Sequence, residues 1–73
     1  MTMIDRDTNT TDYRAGDRVQ VHATMARSYG RQVWVNHERG YVIEVYGNGH
    51  HLVVDLDIGE RVVIALEDLE LIA

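Results

Sequence analysis

The stretch Gly40-Tyr41-Val42-Ile43-Glu44-Val45-Tyr46, then Gly47-Asn48-Gly49, then His51-Leu52-Val53-Val54-Asp55-Leu56-Asp57, decides the class of fold. Its first arm is rich in β-branched and aromatic residues, which suit a pleated, half-buried surface. Its second arm alternates, with Leu52, Val54 and Leu56 on one face. Glycine and asparagine between the arms tolerate the positive φ of a tight hairpin turn. Residues 40–57 are therefore expected to form two strands joined by a turn.

The same signals recur on both sides of this hairpin. Towards the C-terminus, Asp57-Ile58-Gly59-Glu60 is a second turn, and Arg61 to Ala65 is a strand with Val62 and Ile64 on one face. Leu66-Glu67-Asp68-Leu69 resembles one short helical turn, leading into a last strand, Glu70-Leu71-Ile72. A helical stripe at Ile64, Ala65, Leu69 and Ile72 competes with that assignment, but a short segment without an N-cap and with a β-branched entrance makes a poor isolated helix. Towards the N-terminus, Ala15-Gly16-Asp17 is a turn into Arg18–Ala23, where Val19, Val21 and Ala23 alternate with polar neighbours. Residues 24–39 are less regular and read as a long loop through Met25 and Tyr29-Gly30, with one short strand at Gln32–Asn36 inside it. Residues 1–14, MTMIDRDTNTTDYR, have only Met1, Met3, Ile4 and Tyr13 as apolar members and are expected to be a flexible, disordered polar tail. The expected architecture is all-β: a body over 15–73 with five to six short strands and one short helical turn before the last strand.

Composition bounds the function. Seventy-three residues make at most one small module. The absence of cysteine excludes a disulfide framework and a Cys-based zinc site. No apolar run approaches the roughly 18 residues of a membrane span, and no segment has the charged start, apolar core and small-residue exit of a secretory signal. A cytoplasmic protein without a membrane partner is the expectation. The core material is ten Val, five Ile and five Leu. Below roughly 70 to 80 residues one core supplies only about 3–5 kcal/mol, which gives self-association a physical motive. Val53, Val63 and Tyr41 face away from the main apolar stripe. They suggest an outer surface covered by a protein partner or a second copy, or else by the tail or the long loop.

The order of elements resembles the SH3-like barrels, including the KOW-type domains of transcription and ribosomal proteins. The matching features are Gly16-Asp17-Arg18-Val19, Gly40-Tyr41-Val42-Ile43-Glu44-Val45, and Val62-Val63-Ile64 followed by Glu67-Asp68-Leu69-Glu70-Leu71-Ile72. The resemblance covers residues 16–72 and implies a small SH3-like barrel with partner contacts made by loops around its mouth. It extends distantly to the type II dihydrofolate reductases, whose active strand reads Val-Gln-Ile-Tyr. Here the corresponding positions are Val62, Val63, Ile64 and Ala65, so the cofactor- and folate-contacting Gln and Tyr are replaced. The departure implies a fold of that kind without reductase activity and without a cofactor.

The candidate binding set is Arg27, Tyr29, Arg31, Trp34 and Arg39, with His37 nearby and only Glu38 opposing. Arginines interleaved with aromatics can stack bases and clamp phosphates. Alternatively the arginines solvate a loop while Trp34 plugs one end of the body. Residues 1–40 carry net +1 and residues 41–73 net −6 of the total −5. That balance disfavours strong non-specific nucleic-acid binding without dismissing it. His50 and His51 are neighbours on a strand and point to opposite faces, so they do not readily share a metal ion. Ser28 is the sole serine and lies in no nucleophile context. The sequence thus points to a non-enzymatic protein-interaction or accessory module, self-associating or with a protein partner. The alternative is a KOW-like nucleic-acid-binding domain using 27–39.

Overall fold

The computed structural model describes residues 13–46 and 49–72. Among the described residues seven strands follow one another: β1 (Arg18–Val21), β2 (Met25–Ser28), β3 (Arg31–Trp34), β4 (Arg39–Tyr46), β5 (His51–Leu56), β6 (Arg61–Ala65) and β7 (Leu69–Leu71). A 3-10 turn, Leu66–Asp68, separates β6 from β7. The chain is all-β among the described residues. No helix among them is long and apolar enough to cross a membrane. The expected turn at 47–49 falls largely on residues outside the described set, as does the expected tail up to Asp12. Tyr13 and Arg14, at the end of that tail, are attached to the body. Tyr13 packs against the core, and the Arg14 N–H donates to Asp17 Oδ2 at 2.8 Å.

All pairings are antiparallel, in the order β3-β2-β6-β5-β4-β1-β7. Among the described residues the order does not close, so β3 and β7 are edges. β4 is the longest strand and pairs with β1 through its first half and with β5 along most of its length. The register with β5 shifts between Val42 and Glu44, a bulge that bends β4 between its two partners.

The long loop expected over 24–39 is instead a hairpin, β2–β3, which raises the strand number above the five or six expected. Tyr29 (φ 50) and Gly30 (φ 84) both take positive φ, the requirement of a two-residue type I′ turn. Two features hid the alternation. The inward position next to the turn is a serine, Ser28, which is 1 % exposed, and the turn places a tyrosine where glycine or asparagine is usual.

Among the described residues eleven apolar side chains form the core, seven of them valines (19, 21, 33, 35, 42, 54 and 62), with Leu52, Leu56, Ile64 and Leu69. β5, β6 and the first half of β4 send alternate residues inward, and beyond the bulge no residue of β4 is buried. Gly40 occupies the tightest point. A Cβ there would run into the carbonyl oxygen of Asp55 and lie 2.9 Å from Leu56 Cα, and both obstacles are backbone. Gly40→Ala is therefore expected to cost about 3 kcal/mol, because neither strand can yield without losing register. Gly30→Ala meets open space and has only its positive φ to offset, so about 1 kcal/mol is expected. Urea midpoints of the two variants check the ranking, and equal losses would contradict it.

Candidate functional site

The outer face of the sheet is built in rows, because directly opposed residues on neighbouring strands share a face. The first row runs Arg61–Asp55–Tyr41–Arg18 across β6, β5, β4 and β1. Arg61 Nε donates to Asp55 Oδ1 at 2.6 Å and its Nη2 to Oδ2 at 3.0 Å. At the other end Arg18 lies over the Tyr41 ring, 4.6 Å from the centroid. Arg18 also forks onto Asp57, with Nη1 to Oδ1 at 2.8 Å and Nη2 to Oδ2 at 2.6 Å. Hydrogen bonding by Arg61 holds the Asp55 carboxyl below its ordinary range against the opposing effect of desolvation, and Arg18 does the same for Asp57. The same bonds raise both guanidinium values. Sequence reasoning missed this row, since Arg18 and Asp57 are 39 residues apart and no periodicity announces their pairing.

The second row is Arg27–Val63–Val53–Glu44, across β2, β6, β5 and β4. The third is Ala65–His51–Tyr46. Over the second row lies an apolar groove of about 320 Å³, with Val53 and Val63 in its floor and Arg27, Tyr29, Tyr46 and Arg61 around it. A second depression of about 410 Å³ shares Arg27, Tyr46 and Val63 and adds His51 and Ala65. Val63 and Ala65 lie on this outer face of β6 and are half-buried.

The five residues singled out from sequence are not one cluster. Arg27 and Tyr29 border the apolar groove, and Tyr29 and Arg31 border a more polar hollow beside Asp55, Glu60 and Arg61. Trp34 shares the outer face with Arg27 and stands opposite Met25. It is 63 % exposed, so it plugs no end of the body. Arg39 enters β4 opposite Gln20 of β1, with β5 and β6 between it and β2 in the sheet order. Arg27 and Arg31 make no ion pair among the described residues. His22 Nε2 lies 2.6 Å from Glu70 Oε1 and its ring 6.2 Å from that of His37. No group of three or more potential metal ligands converges among the described residues.

The polar row has a predictable acid response. Because both carboxyls titrate lower in the folded chain, their contribution is present above the unfolded value near 4 and is lost as pH falls through the folded values. Both pairs are solvent-accessible, so the effect is modest and weakened by salt. Thermal melts from pH 6 to pH 2 are expected to fall more steeply for the parent than for Asp57→Asn, which has one such carboxyl fewer. Parallel curves would sink the assignment.

Compared with protein-family models, curated proteins and solved structures, the chain matches none.

Proposed function

We propose that this chain is a non-enzymatic protein-interaction or accessory module, an SH3-like barrel in its strand order, that binds a partner on the outer face of β2, β6, β5 and β4. The order supports the barrel reading: β4 serves both β1 and β5, and the chain returns through a 3-10 turn to set β7 against β1. The observation that carries the function is the directly paired Val53 and Val63 facing outward beneath Tyr46, Tyr29, Arg27 and Arg61. An apolar floor with aromatic and arginine walls has the composition of energetic hot spots at protein interfaces. The fitting partner offers an apolar side chain to the floor and a carboxylate to the Arg27 guanidinium at the rim.

One observation favours nucleic acid as the competing ligand. Residues 25–34 carry Arg27 and Arg31 with Tyr29 and Trp34, and no acid. Against it, Arg39 belongs to another part of the sheet and Arg61 is already engaged by Asp55.

Affinity capture with the parent chain and with Val63→Asp separates these ligands. A protein retained by the parent and lost with the folded variant supports the interaction module. Titration with single- and double-stranded probes is expected to give weak binding, unchanged when Arg27, Arg31 and Arg39 are all replaced by Ala. A salt-dependent affinity that drops about tenfold or more in that triple variant would transfer the function to nucleic acid.

A further inference from the structure

The β3 edge has a main-chain pattern that specifies what it can take up. In a two-residue hairpin the residues flanking the turn exchange both hydrogen bonds, here Ser28 and Arg31. Alternation turns the backbone of Val33 towards Ala26, and that of Gln32 and Trp34 towards the open side. The Val35 N–H donating to the Thr24 carbonyl at 2.7 Å keeps the same phase. Gln32 and Trp34 thus present two N–H and two C=O groups that no other strand pairs among the described residues. Of the devices that usually guard an edge, β3 has no proline and no bulge, and its one inward-face charge, Arg31, sits beside the turn and clear of Gln32 and Trp34. The opposite edge differs, because β7 has three residues and the Tyr13 hydroxyl donates to the Leu69 carbonyl at 3.2 Å.

We propose that a second copy of this chain occupies the β3 edge, its β3 running antiparallel about a two-fold axis at Val33. In that register Gln32 faces the partner's Trp34 and Trp34 faces the partner's Gln32. The outward groups of each copy then satisfy those of the other through four main-chain hydrogen bonds. This register also keeps every side chain on its own face, which a shift by one residue would not. Trp34, 63 % exposed, and Met25 opposite it, 38 % exposed, lie on one face. The two Trp34 rings fall on a diagonal across the junction, within reach of each other at roughly 7–8 Å between positions. The Arg31 residues sit at opposite ends of the pairing, about 14 Å apart along the strands, so the like charges do not meet. A core of eleven mostly small side chains leaves the isolated chain with little apolar burial to spare. This pairing deepens the interaction-module reading and rests on it, but through the edge rather than the Val53–Val63 groove.

Trp34 is the sole tryptophan, so its emission reports on the edge directly. Sedimentation of the full chain is expected to show a concentration-dependent dimer, with emission moving to the blue as the dimer forms. Gln32→Pro removes an outward N–H while leaving the β2–β3 bonds intact, and Trp34→Lys places a charge at the junction. Each is expected to weaken dimerisation at least about tenfold by sedimentation, with folding verified by circular dichroism. Leu71→Lys, on β7, is expected to leave it unchanged. A chain that stays monomeric to about 1 mM overturns the proposal. So does a dimer that survives both edge substitutions or is lost in Leu71→Lys. A monomer whose emission shifts only on adding polyglutamate also overturns it, by assigning the edge to an acidic strand. A partner captured by a monomeric chain and lost in Val63→Asp sinks the dimer while leaving the interaction module standing.

Discussion

The close passage of β4 over β5 at Gly40 is the constraint on which the rest of the sheet depends. Gly40 is paired on one side with Val19 of β1 and on the other with Leu56 of β5. The neighbouring backbone leaves no room for a side chain there. The residue is therefore the place where one strand joins the two halves of the sheet. Just beyond it, Gly16 N–H donates to the Val42 carbonyl and Val42 N–H to that of Asp17, at 2.8 and 2.9 Å, tying the entry of the fold to the same strand. The bulge after Val42 then bends β4, so that a single polypeptide segment sets the position of β1, β5 and, through them, of β6 and β7.

The all-β character and several strands were legible because apolar residues alternate where a strand has one face on the core. β5 and β6 read directly from Leu52, Val54, Leu56, Val62 and Ile64, and the short turn before β7 followed from Leu66-Glu67-Asp68. β2 was not legible. Its inward residues are Ala26 and Ser28, too small or too polar to mark a core stripe, while its outward ones are Met25 and Arg27. The candidate site was only partly readable for a related reason. Periodicity assigns residues to faces, and it assigned Val53 and Val63 correctly to the second face. It does not say which strands become neighbours. Nearness along the chain therefore joins Arg39 to Arg27, which the sheet order separates, and parts Arg18 from Asp57, which the fold brings together.

The rows on the outer face explain how a chain this acidic keeps a local basic character. Arg18 and Arg61 are spent on Asp57 and Asp55, beside an aromatic ring in one case. That polar row bounds the apolar Val53–Val63 row on one side. Arg27 and Arg31 stand on or next to a hairpin without an acid, so they remain available to whatever meets that region. The overall charge describes the solubility of the molecule and says little about the chemistry of this face.

The junction of β1 with β7, reinforced by Tyr13 on Leu69, brings the entrance and exit of the fold to one margin of the sheet. Closing that junction requires nearly the whole body to be in place first, because the pairing residues come from its opposite ends. Long-range closure of this kind slows folding and makes the last strand the last to be secured. It also sets Tyr13 and Ile72, the first and last of the described residues, along the same margin, at the opposite end of the sheet order from the β2–β3 hairpin.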